Sequence, residues 1–174
     1  MALGVTYERK ERLDLAIQEY HAALRQDGHY VPALMGLGNA SYASGAFAEA
    51  EAYYLQALSL VPDHPAANNN LAMIYMAQNE RLSEAETLAK RALDQGGPLR
   101  PHVLDTLARI YMKQGRCSQA TVALQDADVA TPLDDTSIRD RLQQARQELN
   151  LQKCERQGHA ATSTKGAIPL VSSP

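Results

Sequence analysis

The chain of 174 residues has no tryptophan, one phenylalanine and only two cysteines. Aromatic residues make up 5% of it. A sheet protein draws its packing from β-branched and aromatic side chains, so this scarcity argues against an all-β fold. Two cysteines, Cys117 and Cys154, are too few for a disulfide framework or a structural zinc site, and nothing in the composition demands an oxidising compartment. No apolar run approaches the roughly 20 residues needed to span a bilayer. The net charge is −3 and the basic residues are scattered, so no cluster is present to neutralise a run of phosphates, and nucleic acid is not an expected partner. Charges follow Met1 after a very short apolar stretch, so the start does not read as a signal peptide. What is abundant is alanine and leucine, the side chains that helices accommodate best.

Those residues recur. Leu3-Gly4 returns as Leu37-Gly38, a step of 34, and Ala16, Tyr20 and Ala23 return as Ala50, Tyr54 and Ala57 by the same step. Leu71-Ala72 with Tyr75, and then Leu107-Ala108 with Tyr111, open two further copies. The third copy is longer by two residues, placed between Asn79 and Ser83 and near Gly96-Gly97, where turns absorb insertions cheaply. Within each copy the apolar spacing is three to four residues, which is helical. Breaks at Ser44-Gly45-Ala46, Asn79 and Gly115 carry residues that tolerate left-handed backbone. Each copy therefore reads as two amphipathic helices and a short turn, with Pro32, Pro65 and Pro101 in the first turns of following helices. Small residues (Gly4, Gly38, Ala72, Ala108 and Ala16, Ala50, Ala85, Ala120) allow close helix approach, and stacking of units buries what one unit cannot.

This pattern resembles the tetratricopeptide repeat (TPR) family over about residues 1–132. The second copy, with Leu34, Leu37-Gly38, Gly45, Ala50, Tyr54, Ala57 and Pro62, carries the resemblance best. The first copy has neither the turn glycine nor the closing proline, and the third has Ala89 where Tyr54 stands and Gly97 in place of the proline. The resemblance implies an all-α, right-handed superhelical solenoid of four helix pairs, at about 1–30, 31–64, 65–100 and 101–134. Residues 135–152 add a capping helix whose stripe is Ile138, Leu142, Ala145 and Leu149. Residues 153–174, rich in small and polar residues, are expected to be a disordered tail. Only two residues precede Leu3, whereas the equivalent helix of the second unit starts at Val31. The first helix is thus expected to be short by about one turn, with an upstream segment missing that held another repeat or an export signal.

Candidate chemistry is sparse. Gly36-Leu37-Gly38 follows no strand and lies inside a repeat, so it reads as packing and not as a phosphate loop. His21, His29, His64, His102 and His159 do not converge at metal-ligand spacing and read as surface residues. Cys117, after the Gly115 turn and beside Arg116, sits where a thiol pKa can fall, but with no base near in sequence it reads as an inert, packed or semi-exposed thiol. Cys154 falls in the tail. No nucleophile–base pair is present, so no enzyme activity, cofactor or metal is expected.

The family resemblance implies a concave groove lined by the first helix of each unit, here Met35, Asn39, Tyr42, Asn70, Met73, Ala77, His102, Asp105, Thr106, Arg109, Met112 and Lys113. Asparagines suit a peptide backbone, methionines suit varied apolar side chains, and Arg109 with Lys113 are placed to select an acidic group. The family's clamp for a chaperone's terminal carboxylate is matched at Asn39 and Asn70, but Met35, His102 and Thr106 replace its three cations. The expected function is a non-catalytic scaffold or adaptor holding a protein or peptide partner in this groove. The alternative is an accessory segment of a larger enzyme or envelope assembly. A third expectation is self-association through the incomplete first repeat. The default compartment is the cytoplasm, or export or anchoring if an upstream segment is missing.

Overall fold

The computed structural model describes residues 2–151, with side chains described for residues 12–150. Eight helices occupy them: α1 Ala2–Gln26, α2 Val31–Ala43, α3 Phe47–Leu60, α4 Pro65–Ala77, α5 Leu82–Asp94, α6 Arg100–Lys113, α7 Cys117–Ala130 and α8 Thr136–Leu151. Helices α2/α3, α4/α5 and α6/α7 are pairs, and each pair packs on the next through its facing helices. The expected tail, residues 153–174, lies outside the described residues.

The turns inside the pairs follow from three residues. Gly45, Asn79 and Gly115 have φ of 81°, 55° and 73°, the left-handed conformation that ends a helix. After each, a backbone N–H reaches five residues back: Ala46 to Ser41 (2.9 Å), Glu80 to Tyr75 (3.1 Å) and Arg116 to Tyr111 (2.8 Å). These bonds satisfy carbonyls that a helix end leaves open. The turn in the α4/α5 pair holds the extra residue expected there, and Arg81 takes a second positive φ of 49°. Pro32, Pro65 and Pro101 sit at the first or second position of α2, α4 and α6, where no helical N–H is lost. His64, expected to be a surface residue, instead caps α4, its Nδ1 accepting from the Ala67 N–H at 3.1 Å.

The first unit departs from expectation. Residues 2–26 form one continuous helix and not a pair. Glu11 stands 34 residues before Gly45, inside a Lys10-Glu11-Arg12 run of good helix formers, so nothing there favours the left-handed backbone that would turn the chain. The described array is therefore α1, three pairs and α8. The expectation of a short first helix is likewise replaced by a helix of 25 residues.

The core runs along the array through Leu34, Tyr54, Leu71, Ile74, Tyr75, Leu107, Ile110 and Leu124, spaced by buried alanines at 50, 57, 72, 85, 89, 108, 120 and 127. Glycine is required at Gly38: a Cβ there would stand 2.5 Å from Cε1 of the buried Tyr54 ring. Gly36 does the same for Tyr20 of α1. The glycine pair thus lets α2 lie between two tyrosines, confirming its packing role.

A repeated clasp joins the pairs, and periodicity alone does not reveal it. The Arg81 guanidinium lies 3.9 Å from the Tyr75 ring centroid and donates to Glu51 of α3 at 3.1 Å. Tyr75 Oη donates to the same Glu51 oxygen at 2.8 Å, and burial, then this bond, raises the phenol to about 12. Thirty-five residues on, Arg116 lies 4.5 Å from the Tyr111 centroid and pairs with Glu86 of α5. Cation–π contact and a charged bond act together in each case. Burial alone would raise the Glu86 carboxyl, but hydrogen bonds from Arg116, Lys90 and Gln114 outweigh it and bring the pKa from 4.5 down to about 2. A depressed carboxyl stabilises the fold above its unfolded pKa and loses that contribution as pH falls through the folded value. Thermal melts are therefore expected to drop between about pH 4.5 and 2, with Glu86→Gln removing roughly 1–2 kcal/mol of that dependence; identical pH profiles for both proteins would refute the assignment.

Candidate functional site

The expected groove residues divide into three groups. Met35 and Met112 belong to the core, 8% and 6% exposed, so they are not available as wide apolar contacts. Thr106 is buried, its hydroxyl donating to the His102 carbonyl at 3.0 Å. His102 is half-buried and its Nδ1 has no hydrogen-bond partner among the described residues. Tyr42 and Met73 are half-buried, Ala77 and Lys113 exposed; the Tyr42 ring packs 5.4 Å from that of Phe47.

The second group is drawn together across three helices. Asn39 of α2 is exposed, and its Oδ1 accepts from Tyr54 Oη of α3 at 2.8 Å and from Asn70 Nδ2 of α4 at 2.9 Å. Asn70 Nδ2 also approaches Tyr54 Oη at 3.4 Å. Burial raises the Tyr54 phenol to about 12, against a smaller lowering by the Asn70 hydrogen bond, so the hydroxyl stays protonated and donating at neutral pH. With both acceptor sites of Asn39 Oδ1 occupied, its Nδ2 is the group left to donate outward, beside the Asn70 Oδ1 acceptor. From the sequence Tyr54 is expected only as core; its hydroxyl, one turn of α3 from Ala50 and Ala57, is the signal for this second role. Asn69, absent from the expected set, lies buried beside Met73, its Nδ2 3.6 Å from the sulfur.

The third group turns inward. Asp105 has no exposed surface. Its Oδ1 accepts from Arg109 Nε at 3.1 Å and its Oδ2 from Arg141 Nη2 of α8 at 2.6 Å. Arg109 also donates to Glu148 of α8 at 2.7 Å and to the Arg141 carbonyl at 3.3 Å. The charge selection expected of Arg109 is thus replaced by a structural role, in which its donors hold the capping helix.

Cys117 is also corrected. It is disulfide-bonded and not an inert thiol, and no free cysteine occurs among the described residues. Among the same residues no group of three or more His, Cys, Asp or Glu side chains is placed to hold a metal ion, and no helix is long and apolar enough to cross a membrane. A cavity of about 530 Å³ lies between the α5–α6 connection and the end of α7, bounded by Pro98, Pro101, Val129 and Pro132.

Helix pairs in register, turned by left-handed residues and locked by repeated clasps, define an all-α helical-repeat solenoid of the kind that supports protein–protein interaction. Sequence comparison narrows this class: the tetratricopeptide-repeat family matches residues 1–65 and 35–101, and the chain belongs to that family. The fold is similar to the TPR domain of Sgt2 from Aspergillus fumigatus, with a TM-score of 0.61 at 20% identity, covering 82% of this chain and 90% of that one. It is similar also to MamA, with a TM-score of 0.62 at 18% identity over 97% and 96% of the two chains. At those identities the likeness concerns the fold alone. A curated relative, protein O-mannosyl-transferase TMTC1 of Mus musculus, is 39% identical over 71 residues, 41% of this chain. The matched stretch is 8% of that protein's length.

Proposed function

We propose that the chain is a non-catalytic scaffold that binds an extended segment of a partner protein along the first helices of its pairs, centred on Asn39 and Asn70. The observation that carries this is the Asn39–Tyr54–Asn70 cluster. Three side chains from three helices hold one another so that an amide donor and an amide acceptor are presented together. Such a pair matches the N–H and C=O of a peptide backbone, and its preorganisation lowers the entropy cost of binding. Around it Met73 and Tyr42 supply adaptable apolar contact. With Arg109 and Asp105 committed to α8, selection rests on shape and backbone bonding more than on charge. A micromolar dissociation constant, about −8 kcal/mol, is expected of a single groove of this kind.

The test uses a photo-crosslinking residue at exposed Ala77, with a second at exposed Val122 on α7 as control. A partner is expected to crosslink from position 77 and not from 122. Asn39→Ala with Asn70→Ala is expected to weaken its binding at least tenfold, two lost hydrogen bonds at about 1 kcal/mol each, while circular dichroism stays unchanged. Crosslinking from 122 alone, or full affinity in the double variant, would move the site elsewhere.

A second reading rests on the transferase relative. Because the shared stretch is a small part of that protein, the array also suits service as an interaction segment within a larger assembly. Self-association is the third: Leu13 and Leu15 of α1 are 45% and 60% exposed, and light scattering showing a concentration-dependent dimer that Leu15→Glu abolishes would support it.

A further inference from the structure

The cavity between the α5–α6 connection and the end of α7 shares no lining residue with the Asn39–Tyr54–Asn70 cluster. Its volume of about 530 Å³ falls within the roughly 300–1,000 Å³ typical of ligand pockets. Its walls are fixed. Pro98, Pro101 and Pro132 line it, each with φ locked by its ring. In the 131–135 connection the Thr131 hydroxyl donates to the Ala127 carbonyl at 2.7 Å, Arg139 donates to the Pro132 carbonyl at 3.2 Å, and Asp135 Oδ1 accepts from the Ile138 N–H at 3.2 Å. Val129, which lines the cavity, is 89% exposed, and Leu133, next to the lining Pro132, is 90% exposed. No other large apolar side chain among the described residues is so exposed. The repeat shows that this is particular to the last pair. Pro132 and Ala127 stand 70 residues after Pro62 and Ala57, which puts α3 and α7 in one register. There Ser59 and Asp63 hold the places of Val129 and Leu133, and on α5 Asp94 holds the place of Val129; all three are exposed. A position that is polar and solvated in the other pairs thus carries valine here, where little of the fold covers it, and adjoining exposed apolar side chains of this kind mark interaction surfaces.

The charge around the cavity selects the occupant. Asp126 precedes Val129 by three residues and so shares its face of α7. It lines the cavity and makes no hydrogen bond or ion pair among the described residues. Around the two connections Asp94, Asp126, Asp134 and Asp135 stand against Arg100 and Arg139, and Arg139 is already bonded to the Pro132 carbonyl. The surface is therefore acidic around an apolar centre. We propose that this cavity is a second interaction site, which binds a peptide segment of a partner protein bearing an aliphatic side chain next to a lysine or arginine. The aliphatic group enters between the prolines and covers Val129 and Leu133, while the cation pairs with Asp126. Rigid walls leave little to be ordered on binding, and the rim charge contributes to selectivity and encounter rate more than to affinity. The site uses neither Asn39 nor Asn70 and does not depend on the groove.

The test pans a random heptapeptide display library on the full chain, with the Val129→Glu protein as counter-target. Val129 is exposed, so that variant is expected to melt with the wild type. Clones are expected that bind the wild type and the Asn39→Ala/Asn70→Ala protein but not Val129→Glu, with a consensus of an aliphatic residue beside Lys or Arg. Retention on the asparagine variant separates this site from the groove, so either can fail without the other. For a synthetic peptide of that consensus, Val129→Glu should weaken binding roughly tenfold or more, because its carboxylate would be buried against an apolar side chain. Asp126→Asn should weaken it about threefold, as for an exposed charge pair. Raising salt from about 0.05 M to about 0.5 M should weaken the wild type more than Asp126→Asn. No clone lost on Val129→Glu, an acidic consensus, or light scattering in which the wild type is a dimer and Val129→Glu a monomer would each overturn the proposal.

Discussion

Asp105→Ala is expected to lower stability by about 3–5 kcal/mol in urea denaturation, the range seen when one member of a buried charge network is removed. The carboxylate has no exposed surface and faces two guanidinium groups, Arg109 and Arg141. Its loss leaves two cations against each other beneath α8, with Glu148 as the remaining counter-charge of Arg109. Arg141, with 39% of its side chain exposed, can turn toward water, whereas Arg109, at 21%, is more confined. Amide exchange should therefore accelerate first in α8 and α6. Replacing the three together, Asp105→Leu, Arg109→Met and Arg141→Leu, should recover most of the loss, because apolar side chains can substitute for a buried ion network once no unpaired charge remains. A loss below about 1 kcal/mol for Asp105→Ala would mean that the network is solvated and that α8 is held mainly by its apolar stripe.

Tyr54→Ala is expected to cost about 3–5 kcal/mol, as for other buried aromatic truncations. The ring is 1% exposed and occupies the space that Gly38 leaves open. Tyr54→Phe separates its two roles. It keeps the packing, loses the bond to Asn39 and should cost only about 1 kcal/mol, yet it should weaken partner binding because Asn39 and Asn70 lose their common anchor. Gly38→Ala probes the same contact from the other side. The added Cβ gains helix propensity of about 1 kcal/mol, but it meets a ring that is buried and hydrogen-bonded, so a net loss of roughly 1–2 kcal/mol is expected. Gly36→Ala should cost less, because Tyr20 is only half-buried and its ring has room to swing. Equal losses at the two glycines would show that the rings are equally confined.

Much of the backbone is legible in the sequence. Leu37, Ala50 and Ala57 report helix faces through spacing, and Gly45, Asn79 and Gly115 report turns through the φ they tolerate. Even the extra residue between α4 and α5 is visible as a slip in the period. The first unit misleads for a local reason: Leu3-Gly4 repeats the packing signature, but Glu11 removes the turn, and propensity then runs α1 through. The candidate site is legible only in part. Asn39 and Asn70 are drawn together by Tyr54, a contact that spacing along the chain does not reveal, while Asp105, Arg109, Met35 and Met112 carry the side-chain chemistry of a groove but spend it within the fold.

That this is a TPR array can be read from the residues, because helix periodicity, turn residues and small packing positions act over a few residues and recur in register. Which polar groups remain outward follows instead from how the helices pack. Arg109 meets Glu148 39 residues away, Arg116 meets Glu86 30 away, and Asn70 meets Asn39 31 away. Whether a charge or an amide is used up inside the fold or presented to a partner is set by those through-space distances, to which the spacing of residues along one helix is blind.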